Sequence, residues 1–504
     1  MKNIKQIALV LCIGVLMVFA SCKKTGLPPQ LRVIPSDAAL VVSIENKQLI
    51  MKSGLNNITD FKFIQSLRDE MDFDDGVNAV FDEFLKNPES LGIDLDKSYF
   101  FVNAKDENFF IGFVFNMKNL TKFEENVNKI IEKWDYLKVE NRNAYNFVID
   151  DSGILAWNKE VVVAGMVDSD IATSQCDMLF NLPEGKCIAS VPDFMDFCNR
   201  SFDVGLWGSY SSLLKNTSSF TKINIPENLN EFMDMNVHAY LNFDNGEMRL
   251  SYLMTPQSKI TDFLKKYPII KKQFDNKLLR PFPEKSYLVV KQSLNFQEYI
   301  KMIKDFDNSD ISINEILNES EYGDIINGLG GDILFSLYGF AQGPFPIPLA
   351  GLAFNVNSND DFDKMRTLIP RGMAKQNGDY YVVSTGLMVS VYFAFKDNVV
   401  FVTNDADAIV AFTGKGVDKA MNASNLSPFY INLDIDSYPE NVRNALQSQL
   451  GVAAIEAMNY LKPYKDFTIS VDDDFQTVFS LKFKDKSQNS LKQLLKSVDE
   501  ISDL

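Results

Sequence analysis

The sequence predicts an α+β protein with two tandem homologous domains, each a mainly antiparallel β-sheet with packed helices. Three observations support this fold class. The 504 residues include 40 phenylalanines and 18 tyrosines, and aromatic residues favour strands. Several short runs alternate apolar and polar residues, as is typical of antiparallel sheets. Blocks of residues in the first half also recur, in the same order, in the second half.

Five pairs of similar segments define this internal repeat. The three central pairs are separated by 238, 239 and 238 positions, so the register holds over about 70 residues. Similarity between two short strands is common by chance, but five similar pairs in one order predict a duplication. The pairs are residues 34–42 with 282–290, 91–94 with 329–332, 112–116 with 351–355, 159–163 with 397–401, and 239–253 with 468–482.

Each unit is predicted to begin with a strand and a helical region, roughly residues 60–85 in the first copy and 296–318 in the second. A meander of strands follows, with a helix between its second and third strands. An Asn-Gly turn at Asn245 and Gly246, flanked by alternating apolar residues, predicts a hairpin near the end of the first unit. The charged segment 259–277 is predicted to be helical and to pack as the last helix of the first unit. The strands of the first meander are expected near residues 98–104, 109–116, 144–149, 153–158 and 161–166.

The first residues have the three parts of a secretory signal. Lys2 and Lys5 precede an apolar run of 13 residues from 7 to 19, and small residues lead to Cys22. The run is too short to span a bilayer comfortably, since about 20 helical residues are needed. We therefore predict a signal peptide over residues 1–21, a tether over 22–30, a first repeat over 31–277 and a second over 278–504.

Residues 19–22 resemble the lipobox of bacterial lipoproteins. The resemblance implies attachment of diacylglycerol to the Cys22 thiol, cleavage before Cys22 and acylation of the new amino terminus. An ordinary signal peptide that ends near a cysteine is the alternative. Lys23 is not the aspartate that resembles an inner-membrane retention signal, which favours the outer membrane. Residues 23–26 lack the acidic residues of a surface-export signal, so the periplasmic face is favoured over the cell surface.

The charge balance excludes one class of partner. Without Lys2 and Lys5 the chain keeps 48 basic residues against 67 acidic ones, a net charge of −19. That balance repels phosphate backbones, so we expect no nucleic-acid partner. The expected partners are the membrane, through the lipid anchor, and a protein. The oligomeric state is left open.

Motifs for catalysis are scarce. Cys176, Cys187 and Cys198 lie 11 residues apart, which is too far for a zinc site, and we expect three buried, unreactive thiols. One disulfide among them is the alternative. The single histidine, His238, is expected to be hydrogen-bonded within a strand, because the matching position in the second copy falls near Phe467. We assign no catalytic, cofactor-binding or metal-binding residues and no cofactor.

Two further segments attract attention. Residues 72–76 resemble the start of a calcium loop, but the glycine is displaced by one position, so a turn or helix cap is the preferred interpretation. Residues 339–349 are apolar and rich in proline, whereas the matching residues 103–109 are polar. Three prolines argue against a regular central strand there. An extended hairpin connection that exposes Phe345 and Ile347 as a contact surface is expected, unless these side chains fold back onto the protein.

The anchor, the repeat and the composition resemble large uncharacterised lipoproteins of the Bacteroidetes that are classed as domains of unknown function. The resemblance implies no activity and no site residues. The favoured hypothesis is a non-enzymatic envelope protein that binds a partner or scaffolds a complex. The alternative is a glycan- or lipid-binding protein that uses an inter-repeat cleft and aromatic side chains, among them Trp134, Trp157 and Trp207. A carboxylate-based hydrolase is the third hypothesis.

Overall fold

A computed structural model of the chain describes residues 28–501, apart from several internal segments. The Cys22 anchor and the calcium-loop-like segment 72–76 lie outside the described residues. Within the described part, no helix is both long and apolar enough to cross a membrane. The segments left out are residues 55–87, 106–107, 133–136, 151–152, 168, 211, 213–233, 272, 307–320, 342–345, 370–371, 385–388, 418, 423–426, 441 and 445–459.

The chain forms two compact units of mixed helix and strand. The first unit contains Met1–Ile225, Asn230–Pro256 and Asp485–Leu504, and the second contains Pro226–Leu229 and Gln257–Lys484. The sequence-based ranges differ from this grouping for residues 257–277 and 485–504. The C-terminal segment joins the first unit because Gly246 N–H donates to the Gln488 carbonyl and Asn489 Nδ2 donates to the Phe243 carbonyl.

The α-helices are numbered in chain order. They are α1 Asn46–Ser53, α2 Leu120–Ile131, α3 Ser169–Phe180, α4 Pro192–Cys198, α5 Gln257–Lys266, α6 Phe296–Phe306, α7 Glu321–Asn327, α8 Asn359–Thr367, α9 Ala406–Thr413 and α10 Ser490–Ile501. Short 3₁₀ turns occur at Pro29–Arg32, Pro88–Leu91, Glu184–Lys186, Ile188–Ser190 and Asn276–Leu279.

The first unit is built on an antiparallel sheet with the order β10-β9-β8-β1-β2-β3-β7-β6-β5-β4. The predicted Asn245–Gly246 turn connects β9 to β10, and Gly246 adopts a φ of 68°. The strands are β1 Leu40–Ile44, β2 Ile93–Lys105, β3 Asn108–Met117, β4 Glu140–Asn141, β5 Asn146–Asp150, β6 Gly153–Trp157, β7 Val161–Met166, β8 Val204–Ser209, β9 Asn236–Asp244 and β10 Glu247–Thr255.

The second unit has an antiparallel sheet with the order β20-β19-β18-β11-β12-β13-β17-β16-β15-β14. Each pairing of the first sheet therefore has a counterpart here, strand for strand. The strands are β11 Leu288–Ser293, β12 Leu329–Ala341, β13 Ile347–Val356, β14 Ala374–Asn377, β15 Tyr380–Ser384, β16 Ser390–Lys396, β17 Val399–Thr403, β18 Phe429–Asp434, β19 Tyr464–Val471 and β20 Thr477–Phe483.

A helix follows the same hairpin in both units, and a side chain caps each one. Asn119 accepts a hydrogen bond from Lys122 N–H at the start of α2, and Ser358 accepts one from Asp361 N–H at the start of α8. Such caps satisfy backbone donors that a helix cannot pair internally. A polar residue that follows β3 or β13 thus caps the start of the next helix in each unit.

Each unit has its own apolar core. The core of the first unit includes the fully buried rings of Tyr99, Phe101, Phe194 and Phe197. The second unit has two smaller clusters. One is centred on Phe282, Phe401 and Phe412, and the other on Phe362, Phe393 and Val400.

Two elements differ from the sequence-based predictions. The helix expected over 259–277 is α5, and it ends at Lys266 because Pro268 disfavours a helical conformation at Tyr267. A strand also runs through Pro348, where proline argued against one. Because β17 pairs with β13 only from Gly351 onwards, Pro348 lies where β13 has a single neighbouring strand, a position that tolerates proline.

Candidate functional site

A two-stranded hairpin tip is the first distinctive feature of the second unit. β11 pairs with β12 only as far as Leu337, so among the described strands the segments 339–341 and 347–349 pair only with each other. We call these two segments the hairpin tip. Ile347 lies opposite Ala341 and is half-buried. Phe345, the other predicted contact residue, lies outside the described residues.

An aromatic group stands at the base of the hairpin tip. The ring of Phe340 lies 5.3 Å from the ring of Tyr287 and 6.1 Å from that of Tyr438. Tyr287 and Tyr438 are themselves 5.0 Å apart. All three rings are half-buried, so they fix the tip against the segment that follows β18 and keep part of their surface accessible.

A pocket of about 290 Å³ opens beside Tyr438. Its apolar wall combines a tyrosine ring with aliphatic side chains, and three cationic side chains complete the lining. Leu461 is 46 % exposed, so part of the apolar wall is accessible to a ligand. The lining residues are Leu433, Ile435, Tyr438, Arg443, Leu461, Lys462 and Lys484.

Antiparallel pairing brings these residues together. β18 ends at Asp434, β19 begins at Tyr464 and β20 ends at Phe483, and Tyr464 pairs with Phe483. The same edge of the sheet therefore carries residues that immediately follow or precede each of the three strands. Lys462 and Lys484 are 22 positions apart in the sequence, and no local motif marks them. Only the strand register could have identified this site.

Arg443 holds one wall of the pocket in place. Its Nε donates to the Tyr438 carbonyl at 3.1 Å, and its Nη2 donates to the Asp436 carbonyl at 2.7 Å. These bonds fold the segment 435–438 around the guanidinium group. A guanidinium group has five N–H donors, and these two bonds use donors on Nε and Nη2.

The two lysines differ in their surroundings. Lys484 Nζ lies 2.6 Å from Asp436 Oδ1, in a pair with both side chains substantially exposed. Lys462 is exposed and forms no salt bridge with the described residues. Burial, followed by the charges of Asp434 and the neighbouring Tyr287, raises the pKa of Tyr438. Its hydroxyl therefore stays neutral at physiological pH. The rim carries three cationic side chains, with the carboxylates of Asp434 and Asp436 beside them.

A buried polar cluster lies in the first unit around His238, which is 2 % exposed. His238 Nε2 lies 2.9 Å from Asp193 Oδ2, and Nδ1 lies 3.0 Å from the Tyr240 hydroxyl. Because an ionised carboxylate only accepts, Nε2 donates its hydrogen to Asp193. The histidine is therefore hydrogen-bonded within its strand, as predicted.

Asp193 is the partner that sequence reasoning missed. Its Oδ2 also accepts from Trp207 Nε1 at 2.8 Å and from Asn236 Nδ2 at 2.9 Å. Burial by itself raises the pKa of Asp193, but hydrogen bonds from His238, Trp207 and Thr255 outweigh it and lower the pKa to about 2. The hydrogen bonds of this cluster hold α4 against β8 and β9. Stabilisation of the fold accounts for each of these contacts.

Two of the three tryptophans that were proposed for ligand stacking are buried. Trp157 and Trp207 are 1 % and 3 % exposed, and their Nε1 atoms donate to Glu124 and Asp193. Trp134 lies outside the described residues. The described tryptophans thus pack in the core of the first unit.

The three cysteines past residue 22 are free thiols. Cys176 and Cys187 are buried and Cys198 is half-buried. Burial raises the pKa of Cys176 to about 12 and that of Cys198 to about 11, so both are protonated and unreactive. No group of three potential metal ligands occurs in the described part of the chain.

The chain belongs to the family "Domain of unknown function (DUF4836)", whose model matches residues 31–491. No curated protein matches it. Among solved structures, it is similar to crystal forms IV and III of TP0453, with 13 % identity to each. The alignments cover 48 % and 50 % of this chain and 85 % and 92 % of those chains, with TM-scores of 0.28 and 0.26. At such low TM-scores the similarity supports no conclusion about fold or function.

Proposed function

We propose that the protein is a membrane-tethered envelope protein that binds its ligand without catalysis, and that the pocket of the second unit is the binding site. One observation carries this proposal: an open apolar pocket, with an exposed leucine and cationic side chains at its rim, lies beside the apolar hairpin tip. Ligand sites are typically concave, mostly apolar and equipped with a few polar groups that set orientation. The pocket has this composition.

The tether is part of the proposal. The lipobox-like residues before Cys22 favour a diacylated cysteine, and we place the protein at the periplasmic face of the outer membrane of a Bacteroidetes cell. Attachment through two or three acyl chains is stable, because each buried methylene contributes about 0.8 kcal/mol. Labelling cells with an alkyne fatty acid tests this directly. Wild-type protein should acquire the label and sediment with membranes, whereas the Cys22→Ala variant should not be labelled.

A duplication is the second inferred element. The five similar sequence pairs and the matching strand order favour two copies of one ancestral unit. The matching glycines Gly112 and Gly351 add support. A Cβ would meet Phe101 of β2 in the first unit and Phe401 of β17 in the second, so each copy uses a glycine to accommodate a buried ring, which comes from a different neighbouring strand in each. The ligand site would then have developed in one copy only.

The binding proposal is tested with N-phenyl-1-naphthylamine, a neutral dye whose emission rises in apolar surroundings. The experiment uses residues 23–504, which contain every described residue. We expect saturable binding that Leu461→Asp weakens at least about tenfold, because it places a charge on the apolar wall. Leu368→Asp is the matched control, since Leu368 is 43 % exposed and does not line the pocket. Equal loss in both variants, or no binding at all, would refute the proposed site.

A protein partner or scaffold role is the second candidate. The burial of Trp157 and Trp207 favours it, because these rings are not available to stack on a small ligand. The half-buried hairpin tip would then be the contact surface. Affinity capture from crosslinked envelopes, with Cys22→Ala as the control, tests this candidate. A partner that is captured by wild-type protein and lost with both Cys22→Ala and Ile347→Asp would support it.

The hydrolase hypothesis requires a carboxyl group with a raised pKa to act as general acid. Among the described carboxyls, those of Asp193, Asp397 and Asp485 have a clearly shifted pKa, and in each the pKa is lowered. None of these three is the acid that this hypothesis needs.

A further inference from the structure

The pocket of the second unit combines apolar walls with cationic side chains, and this combination restricts the ligand. We infer that it takes a single-chain amphiphile with an anionic head group, such as a long-chain carboxylate. This inference rests on the proposed function, since it names the ligand class of the same site. The head group would lie at Lys462 and Lys484, and the chain would lie along Leu433, Ile435 and Leu461.

The size of the pocket argues for one chain. Its volume of about 290 Å³ is just below the range for ligand sites, roughly 300–1,000 Å³. A phospholipid with two acyl chains would leave one of them in water. A single chain gains apolar burial along the whole wall, at a favourable transfer free energy for each methylene.

The chemistry of the wall argues against a peptide. A peptide would bring backbone N–H and C=O groups next to Leu433, Ile435 and Leu461, and buried polar groups need partners. The donors of Arg443 that the structure records are already used on its own wall. A hydrocarbon chain brings no such groups, so it loses no hydrogen bonds on entry.

The rim argues for a negative head group. Three cations line a pocket in a chain whose formal net charge is −17, so the site opposes the charge of the rest of the protein. Two acidic groups lie beside the rim: Asp436 pairs with Lys484 at 2.6 Å, and Asp434 lies between the lining residues Leu433 and Ile435. Lys462 is thus the cation that a carboxylate meets first, and that carboxylate would share Lys484 with Asp436. Hydrogen bonds to charged groups are stronger than those between neutral groups.

The test compares two ligands with the same chain, dodecanoate and dodecan-1-ol, by displacement of N-phenyl-1-naphthylamine below their micelle-forming concentrations. We expect dodecanoate to bind about tenfold more tightly, because only its head group forms charge-assisted hydrogen bonds. Raising the salt concentration from 50 to 500 mM should reduce that advantage, because exposed charges are screened, and should leave dodecan-1-ol unaffected.

Charge-removing variants locate the head group. Lys462→Gln and the double variant Lys462→Gln/Lys484→Gln should each reduce the preference for dodecanoate, with the double variant abolishing it. Lys375→Gln, at the exposed edge strand β14, is the matched control and should keep the full preference. Arg443 is not substituted, because it also holds the segment 435–438.

The outcomes separate the two proposals. If the dye binds and both ligands displace it equally, the pocket binds apolar chains and the anionic head group is refuted. The same conclusion follows if the alcohol binds better, or if Lys375→Gln lowers the preference as much as Lys462→Gln does. If neither ligand nor dye binds, the proposed function itself fails. A preference that is lost only in the Lys462 and Lys484 variants supports the inference.

Discussion

The two units have the same strand order but bury their sheets to different extents. β6 in the first unit is buried at all of its positions, whereas its counterpart β16 is buried only at Phe393 and Ala394. β8 is buried at three of its six positions, while every residue of its counterpart β18 is half-buried. One topology can thus support a closed core or leave aromatic and aliphatic side chains accessible, and the candidate pocket belongs to the more accessible unit.

The hairpins at matching positions show the same contrast. The connection between β2 and β3 is Asp106 and Glu107, which follow Lys105, and the connection between β12 and β13 contains glycine, phenylalanine and prolines. Charged side chains favour water, whereas apolar side chains favour packing. In the second unit, Phe340 near the end of β12 packs on Tyr287 and Tyr438. The two hairpins thus differ in sequence, and the apolar one lies beside the aromatic group of the second unit.

The largest expected effect comes from removing a buried carboxylate in either unit. Asp203 accepts from Lys52 Nζ at 2.7 Å, and Asp332 accepts from Lys271 Nζ at 2.5 Å; both carboxylates are fully buried. Each carboxylate also accepts from a buried donor, Phe243 N–H at Asp203 and the Ser293 hydroxyl at Asp332. Asp203→Ala and Asp332→Ala leave these donors without an acceptor and each lysine without its ion pair, so each should cost about 3 kcal/mol of unfolding free energy.

Tryptophan fluorescence distinguishes these two variants, because all three tryptophans lie in the first 225 residues and thus in the first unit. Urea unfolding monitored by fluorescence should shift for Asp203→Ala only. Hydrogen exchange of β11 and β12 should increase for Asp332→Ala. A fluorescence shift of equal size in both variants would mean that the two units unfold together.

The next largest loss of stability is expected when the matching glycines are replaced by alanine. A Cβ at position 112 would lie 2.3 Å from Phe101 Cε1, and one at position 351 would lie 2.6 Å from Phe401 Cε2. Both rings are fully buried and cannot move away freely. Gly112→Ala and Gly351→Ala should therefore each cost about 1–3 kcal/mol, with the larger cost at position 112.

Gly185→Ala is the control for these substitutions, because a Cβ there meets nothing within 4 Å. Thermal unfolding by calorimetry measures all three. If the alanine at 112 or 351 is tolerated as well as the one at 185, the matching glycines do not reflect a shared packing requirement.

Acid should destabilise the first unit through Asp193. Its pKa is about 2 in the folded protein, below the unfolded value of roughly 3.9, so its stabilising contribution is present above about pH 4 and is lost as the pH falls towards 2. The lost contribution is on the order of 2 kcal/mol. Urea unfolding followed by tryptophan fluorescence at pH 7, 5 and 3 should show a smaller pH dependence for Asp193→Asn. An identical pH dependence in the variant would contradict the role of this cluster.

The smallest effect is expected at the hairpin tip. Asn404 Nδ2 donates to the Pro348 carbonyl at 2.6 Å, and its Oδ1 accepts from Ala350 N–H at 2.9 Å, so one side chain takes the place of a neighbouring strand. Asn404→Ala should cost about 1 kcal/mol and increase hydrogen exchange at Ala350. Pro348→Ala should change stability by less than about 0.5 kcal/mol. A larger effect of Pro348→Ala would show that the tip is not a simple two-stranded ladder.

Much of the fold could be predicted from local patterns. Alternating apolar residues and turn signals located β3, β5, β6 and β7 to within two residues, and the Asn245–Gly246 hairpin was predicted correctly. These features depend on neighbouring residues, whose spacing is visible in the sequence. The hydrogen-bonded state of His238 was also predicted, although its partner Asp193, 45 positions earlier, was not.

The sequence by itself determined the mixed helix and strand content, the succession of elements and the apolar character of the hairpin at 339–349. It did not determine which unit holds the C-terminal helix α10, which donors surround Asp193, or that Arg443, Lys462 and Lys484 line one pocket. Those facts depend on strand register and on contacts between residues tens or hundreds of positions apart. Charged surface residues do not recur at a regular sequence spacing as buried apolar residues do. The position at which these cations meet can therefore be read only from the folded structure.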